Sequence, residues 1–410
     1  MSDFSSLDLL PQILTAVKNT GHETPTPIQA QAIPHLLAGK DLLGIAQTGT
    51  GKTAAFALPI LNFLGKNKLR IGPSQVRVLI LTPTRELATQ IDSSFRTYGE
   101  GLDFISSVIF GGVGHRPQIQ SLKKGIDILV ATPGRLLDLI NERHVRFDQL
   151  DIFVLDEADR MLDMGFIRDV KKIMSRLPSK RQTLLFSATM PNDIAQLANS
   201  LLHNPVRIEV TPQATTVEKI DQMVNLMEKS SKPLRLKGIL SDNSIKSVLV
   251  FTRTKHGADK VVKQLDRDSI VSAAIHGNKS QGARERALGN FRAGKIRVLV
   301  ATDIAARGID IPQVSHVINY NLPDDPKSYV HRIGRTARAG REGVAISFCD
   351  ENEINLLKSI EKFIKCKVPV DTGHPFHYVP AAELRVLNPI KKASSRSSQT
   401  SQRRRRRVRP

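Results

Sequence analysis

The sequence predicts an α/β protein of two tandem domains, each a parallel sheet flanked by helices, followed by a basic C-terminal extension. Three features lead there. Short β-branched apolar runs alternate with helix-like segments along most of the chain, the alternation breaks once near residue 211 and resumes, and the last residues from Ala393 contain neither an aromatic nor an acidic side chain. Strands covered by helices on both faces read as continuous apolar runs, and their alternation with helices builds parallel units. The length of 410 residues suits two or three domains of roughly 150 residues each.

In the first half the runs are DLLGIA (41 to 46), RVLILT (77 to 82), DILVAT (127 to 132), DIFVL (151 to 155) and TLLFS (183 to 187). The second half carries SVLVFT (247 to 252), VSAAI (271 to 275), RVLVAT (297 to 302), HVINY (316 to 320) and VAISF (344 to 348). Between the halves TPQATTVEK (211 to 219) has no apolar periodicity, and Pro212 with its threonines disfavours a regular element, so the interdomain linker is placed there. The domains are then 1–210 and 220–375, with an extension at 376–410. ASSRSSQTSQRRRRRVRP, from Ala393, cannot bury enough surface to fold, so the extension is expected to be disordered at least from residue 391.

Lys and Arg number 60 against 39 Asp and Glu, a formal net charge of +21 that favours an anionic polymer as partner. Nine of those cations lie between Lys391 and Pro410, so the remainder is still basic at +12. No uncharged apolar run approaches the ~20 residues needed to span a bilayer, and MSDFSSLDLL lacks the basic flank of a secretion signal. A cytoplasmic protein that does not engage a membrane is expected. Cys349 and Cys366 are too few for a disulfide framework, lack metal-ligand spacing and are expected to be packing residues of a protein from a reducing compartment.

Chemistry-bearing segments gather at the ends of the predicted strands. In AQTGTGKT (46 to 53), Gly49 and Gly51 let backbone N–H groups turn onto an anion, Lys52 reaches terminal phosphates, and the Thr53 hydroxyl suits magnesium. Ala46 stands where such loops usually begin with glycine. In IFVLDEADRMLD (152 to 163), Asp156, Glu157 and Asp159 crowd like charges beside a buried strand, which calls for a cation. Asp156 suits the magnesium carboxylate of a phosphate-loop hydrolase, and Glu157 suits the group that orients water. By itself the cluster equally describes an acidic helix start.

PTRELA (83 to 88), TPGR (132 to 135) and SAT (187 to 189) also follow strand ends, as do FTRT (251 to 254) and ATDIAARGID (301 to 310), with HRIGRTARAG (331 to 340) further on. The strand ends of a parallel sheet share one edge, where open α/β sheets bind ligands. Arg332, Arg335 and Arg338 would share one face if helical; on spacing alone they describe a basic surface helix as well as a phosphate clamp.

The ordered series TPTPIQ (24 to 29), AQTGTGKT, PTRELATQ, GG at 111 and 112, TPGR, DEAD, SAT, LVFT, Gln281 with Arg284, ARGID and HRIGRTAR resembles a DEAD-box ATP-dependent RNA helicase over residues 4 to about 350. VFTRTKH, AAIHGNKSQGAR and LDEADRMLDMGFI are similar to the bacterial RhlE-like subgroup. The resemblance implies two RecA-like domains with a Q motif, ATP and Mg2+ as cofactors, and local, non-processive unwinding of RNA driven by RNA-stimulated ATP hydrolysis.

Residue by residue, it implies that Gln29, with Phe4 stacking from upstream, reads adenine, and that Ala46, Gln47, Thr48, Gly49, Thr50, Gly51, Lys52 and Thr53 bind the phosphates and metal. Asp156 holds the metal through water, Glu157 the attacking water, and Asp310 the ribose. Arg335 and Arg338 act as arginine fingers. Asp159, Ser187, Thr189 and His331 couple hydrolysis to strand separation. RNA lies across Pro83, Thr84, Arg85, Gly112, Thr132, Arg135, Thr252, Arg253, Gly277 and Thr302, through phosphates and sugars and so largely independent of sequence. A monomer is implied, with ribosomal or RNA-decay assemblies as candidate partners. His22, where relatives often carry Phe or Tyr, and Ala337, where Gly is commoner, depart from the pattern. A processive DNA translocase and an RNA clamp with incidental hydrolysis are the rival functions.

Overall fold

The computed structural model describes residues 3–47, 49–210, 220–306, 314–336 and 343–378. Thr48, the linker at 211–219, Asp310, Ala337, Arg338 and the chain from 379 onward lie outside the described residues. Among those described, the first domain has strands β1 (Leu42–Ile45), β2 (Val76–Leu81), β3 (Ser106–Ile109), β4 (Ile126–Ala131), β5 (Ile152–Leu155), β6 (Gln182–Ser187) and β7 (Val206–Glu209). Its helices are α1 (Pro11–Asn19), α2 (Pro27–Leu37), α3 (Lys52–Lys66), α4 (Arg85–Tyr98), α5 (His115–Leu122), α6 (Pro133–Asn141), α7 (Ala158–Asp163), α8 (Ile167–Met174) and α9 (Asn192–Leu201). The second domain has β8 (Ile220–Leu226), β9 (Val248–Phe251), β10 (Ser272–Ile275), β11 (Val298–Ala301), β12 (His316–Asn319) and β13 (Gly343–Cys349). With them run α10 (Lys232–Leu240), α11 (Lys255–Arg267), α12 (Gln281–Arg292), α13 (Asp303–Ala306), α14 (Pro326–Ile333) and α15 (Ile354–Ile364).

Every strand pair is parallel. The first sheet has the order β3-β4-β2-β5-β6-β1-β7 and the second β10-β11-β9-β12-β13-β8. Neighbouring residues within one strand feed opposite cores: Val78, Ile80 and Val154 join Phe56 and Phe95 on one face, while Leu79, Leu81, Phe153 and Leu155 join Leu139 and Met161 on the other. The second sheet repeats this, with Val248, Val250 and Ile318 on one side and Leu249, Phe251 and Val317 on the other. Burial on both faces explains why the central strands are apolar throughout. Truncating a fully buried ring such as Phe153 would cost on the order of 3–5 kcal/mol.

All ten predicted strands form. Three more, β3, β7 and β8, occupy sheet edges. Cys349 is buried as expected, but Cys366 is exposed, because it follows the last turn of α15 rather than lying on its inner face. Among the described residues no helix is long and apolar enough to cross a membrane.

The order of each sheet determines where the functional segments fall. The turns leaving β1, β2, β3, β4, β5 and β6 all open on the carboxyl edge of the first sheet, and those leaving β9, β10, β11, β12 and β13 on the corresponding edge of the second. Several of these turns begin the next helix with their own side chains: Thr84 Oγ1 accepts from Leu87 N at 3.3 Å, and Thr254 Oγ1 accepts from Gly257 N at 3.0 Å. Such caps satisfy helix donors that would otherwise lack partners.

Candidate functional site

The phosphate loop runs from the end of β1 into α3. Gly49 and Gly51 are in the left-handed region, at φ 87° and 93°, and Thr50 Oγ1 donates to Gln47 O at 2.8 Å. Gln29, at the third position of α2, is 1% exposed; its Oε1 accepts from Thr26 N at 2.9 Å and its Nε2 donates to Gly51 O at 3.1 Å. A Cβ on Gly51 would meet Gln29 Nε2 at 2.5 Å, so the loop and the Gln29 amide interlock. The expectation that Gln29 reads a base therefore acquires a second element, since the same amide braces the loop. Phe4 is 4% exposed and packed into the first domain's core rather than standing open as a stacking platform. His22 is exposed, with Nδ1 2.8 Å from Thr20 Oγ1.

Lys52 opens α3 with 6% exposure, and its Nζ has no hydrogen-bond partner among the described residues. Its charge is felt by both Asp156 and Glu157. Burial pushes the Asp156 carboxyl up to about 6, with Lys52 opposing and Glu157 adding to the shift. Burial acts the same way on Glu157 but is outweighed by Arg160, Lys52 and Arg335, which hold it below the usual carboxylate range. Glu157 sits at φ 53°, a left-handed conformation rare for a side-chain-bearing residue, and forms a buried ion pair with Arg160.

Asp159 turns away from that pair. Its Oδ2 accepts from Thr189 N and Thr189 Oγ1, each at 2.9 Å, while Ser187 Oγ donates to Thr189 O at 2.7 Å and accepts from Asp159 N at 3.2 Å. The expected grouping of Asp159, Ser187 and Thr189 is thus present, and His331 lies exposed on α14.

Of the arginines of HRIGRTARAG, Arg332 and Arg335 do not share a helical face, and Arg338 lies outside the described residues. Helix α14 ends at Ile333, and Arg332, 2% exposed, is drawn inward: its Nε and Nη2 donate to the Asp303 carboxylate at 2.6 and 2.7 Å. Its Nη1 donates to Asn319 Oδ1 at 3.0 Å and Asn321 O at 2.7 Å, and its guanidinium lies 4.9 Å from the Phe251 ring centroid. A buried bidentate partner, not spacing, decides its orientation. Arg335 follows in the turn, 5% exposed, and its charge acts on Glu157 of the other domain. The domains also meet where Arg284 of α12 lies 2.8 Å from Glu86 of α4, both buried.

The expected RNA-facing residues divide in two. Arg85 folds over Gly112, where a Cβ would strike its guanidinium, and Arg135 Nη1 donates to Val113 O at 3.1 Å, so both guanidiniums gather on the 111–113 loop. Gly112, Gly277 and Arg253 are exposed, and Thr302 is half-buried. Pro83, Thr84, Thr132 and Thr252 are buried, with Thr84 capping α4 and Thr252 Oγ1 donating to Thr254 O at 3.2 Å. The side chains of Thr84 and Thr252 thus serve their turns. Arg160, Asp303, Asn321, Lys232 and Glu353 were missed by sequence reading; only Arg160, three residues after Glu157 on a helix start, carried a local signal.

Among the described residues no three His, Cys, Asp or Glu side chains are grouped to hold a metal. Magnesium does not need such a group, since it keeps waters and is bound through one or two carboxylates plus substrate phosphates. A buried Asp156 with its carboxyl pushed up, within reach of the charge of Lys52, fits a cation that would restore the charged form, and the half-buried Thr53 follows Lys52 on α3.

A family model described as DEAD/DEAH box helicase matches residues 26–197, and one described as Helicase conserved C-terminal domain matches residues 231–340. The chain is similar to the ATP-dependent RNA helicase CshA of Listeria monocytogenes, 42% identical over 386 residues covering 94% of this chain and 73% of that protein. It is similar to the ATP-dependent RNA helicase DeaD of Buchnera aphidicola, 43% identical over 366 residues covering 89% and 60% respectively. Among solved structures it is similar to S. cerevisiae Dbp5 bound to RNA and ADP BeF3, with a TM-score of 0.80, 33% identity and coverage of 90% of this chain and 96% of that one. With the strand-end segments in two RecA-like domains and both facing one seam, these matches show that the chain belongs to the DEAD-box ATP-dependent RNA helicases.

Proposed function

We propose that this helicase hydrolyses ATP at the seam between its two sheets, with groups from both domains required together, and that RNA stimulates the reaction by favouring that closed arrangement. Lys52 and the loop from Ala46 to Thr53 take the triphosphate, Gln29 the adenine end, with Phe4 packed in the core behind it, and Asp310 the ribose. Thr53 and Asp156 would hold Mg2+, which when bound offsets charge on the phosphates. Glu157 orients and deprotonates the attacking water, and Arg335 with Arg338 stabilises charge developing on the transferred phosphoryl group. Asp159, Ser187, Thr189 and His331 link turnover to local strand separation. RNA runs along Arg85, Gly112, Arg135, Arg253, Gly277 and Thr302, with Pro83, Thr84, Thr132 and Thr252 shaping the turns beneath. Backbone contacts make binding independent of sequence.

The observation that supports this most directly is the Arg335 charge acting on Glu157 across the seam. ATP turnover with and without a defined RNA duplex tests it. Glu157→Gln should still bind ATP and RNA but lose turnover and repeated unwinding; turnover at the wild-type rate would remove Glu157 from its role. Stimulation by RNA and not by single-stranded DNA separates this reading from a translocase on DNA.

The relatives named above are CshA and DeaD, so the RhlE-like subgroup rests on VFTRTKH, AAIHGNKSQGAR and LDEADRMLDMGFI alone. We read the protein as a monomer of the cytoplasm, a setting consistent with two cysteines that form no disulfide, with ribosomal or RNA-decay assemblies as candidate partners. The arginine-rich extension adds RNA affinity by counterion release. Truncation after Asn388 should weaken RNA binding and flatten its salt dependence while ATP turnover at saturating RNA stays near wild type.

A further inference from the structure

A buried ion cluster lies behind the RNA-facing edge of the second domain and, Arg253 apart, outside the sequence motifs. Lys232, 1% exposed at the start of α10, pairs with Glu353 and, at 2.9 Å, with Asp350. Glu353 Oε2 accepts from Asp350 N at 3.4 Å in a capping box after β13. Its Oε1 accepts from Asn321 Nδ2 and from Arg253 Nη2, both at 3.3 Å. Arg253 is further held by Leu322 O, 3.3 Å from Nη2, and by Asp324 Oδ1, 3.5 Å from Nε. Arg253 Nη1 has no hydrogen-bond partner among the described residues.

Two observations suggest more than structural packing. Burying two carboxylates and an ammonium costs desolvation that apolar side chains of the same volume would avoid, so retaining them calls for a use. Lys232, Asp350 and Glu353 are 1%, 7% and 3% exposed, whereas Arg253 is 42% exposed and its outer partner Asp324 73%. The buried charges thus reach the surface through Arg253, which the reading above places on the RNA edge.

We propose that Glu353, neutralised by Lys232, is a positioning residue for RNA binding that acts through Arg253. It holds one side of the guanidinium so that the other presents fixed donors to an RNA phosphate. The ordering of a long side chain is then complete before RNA arrives. This rests on the reading that Arg253 contacts RNA. The ATP side should be spared, because Arg332, three residues before Arg335, is held by the backbone carbonyl of Asn321 and by Asp303, which changes at Glu353 leave in place.

The test is a steady-state ATPase titration on the full chain with a defined RNA. Glu353→Gln should raise the KM for RNA roughly three- to tenfold, the loss of one partly exposed charge-assisted hydrogen bond, with KM for ATP and kcat at saturating RNA unchanged. Glu353→Asp keeps the charge opposite Lys232 but withdraws it by one methylene from Arg253; it should show a smaller rise in the same constant and carries the test if the Gln variant does not fold. Arg253→Ala should raise the KM for RNA by itself, and adding Glu353→Gln to it should change nothing further. Additive effects, or a lowered unfolding midpoint with an unchanged KM for RNA, would overturn the positioning role. An Arg253→Ala variant with wild-type KM for RNA would overturn that role together with the RNA reading of Arg253.

Discussion

Glu157 adopts a left-handed backbone with its carboxylate buried against Arg160, and both features have consequences for single substitutions. The left-handed turn aims the side chain back toward the seam, where Lys52 and Arg335 also act on it. Arg160→Gln removes the nearest counter-charge but leaves those two, so the expected cost to first-domain stability is about 1–3 kcal/mol, seen as a lowered thermal midpoint without nucleotide. Because Arg160 helps hold Glu157 in its charged form, the same variant should turn over ATP more slowly at saturating RNA. At Gly51 the constraint is steric: φ is 93° and an added methyl would strike Gln29 Nε2 at 2.5 Å. Gly51→Ala should therefore weaken ATP binding more than tenfold, the strain of a disfavoured backbone added to the loss of the Gln29 brace. Binding within twofold of wild type, measured calorimetrically, would show that the loop rearranges freely.

At the scale of elements, the edge strand β8 is not left open. Val224 forms a parallel bridge with Val370, Val224 N donates to Pro369 O at 2.8 Å, and Asp371 N donates back to Val224 O at 3.0 Å. Docking continues to Tyr378, whose N donates to Leu226 O at 3.2 Å, three residues past the boundary expected from sequence. The cover protects an edge that would otherwise invite pairing with another chain. Within it His374 is 5% exposed; burial pushes its imidazole below the ordinary value, Arg235 and His377 add to this, and Asp371 opposes. A folded pKa below the unfolded one, ~6.5, means that the neutral ring stabilises the docked segment above that pH and that the stabilisation is lost as pH falls through the folded value. Protection factors, corrected for the intrinsic slowing of exchange in acid, should thus fall at Asp371 and Tyr378 on going from pH 7.5 to 5.5 while those of β9 and β12 amides hold, and His374→Gln should flatten the difference. The same edges explain what sequence did not reveal. Central strands announce themselves by burial on both faces, but β3 begins with Ser106 and Ser107, β7 is VRIE, and β8 interleaves Asp221, Gln222 and Asn225. The strand-end motifs were legible because turn chemistry is local. The Lys232–Glu353 pair was not, because partners 121 positions apart leave no periodicity in either segment.

At the scale of the whole molecule, closure is a balance of charge at the seam. Arg284 of α12 enters a buried position 2.8 Å from Glu86; burial holds its guanidinium below its ordinary value, Glu86 opposes that shift, and the neighbouring Arg85 reinforces it. Arg85 thus repels Arg284 across the seam, a repulsion that an anion on the Arg85 side would relieve. On the proposed mechanism an RNA phosphate there would stabilise closure and closure would bring Arg335 to the nucleotide, so the two ligands would assist each other through the same equilibrium. Linkage makes that assistance reciprocal: the factor by which RNA tightens ATP must equal the factor by which ATP tightens RNA, typically ~5–150-fold. Arg284→Glu sets two carboxylates against each other and should lower both factors toward one, with little change in the affinity for ATP alone. Reversing the pair, Glu86→Arg with Arg284→Glu, restores an attraction at the seam but places a second arginine beside Arg85 on the first domain, so recovery should be partial. The measurement is a pair of titrations for each variant, each ligand with and without the other saturating. Equal factors that stay at the wild-type value in Arg284→Glu would mean that closure is driven elsewhere along the seam and that this ion pair only accompanies it.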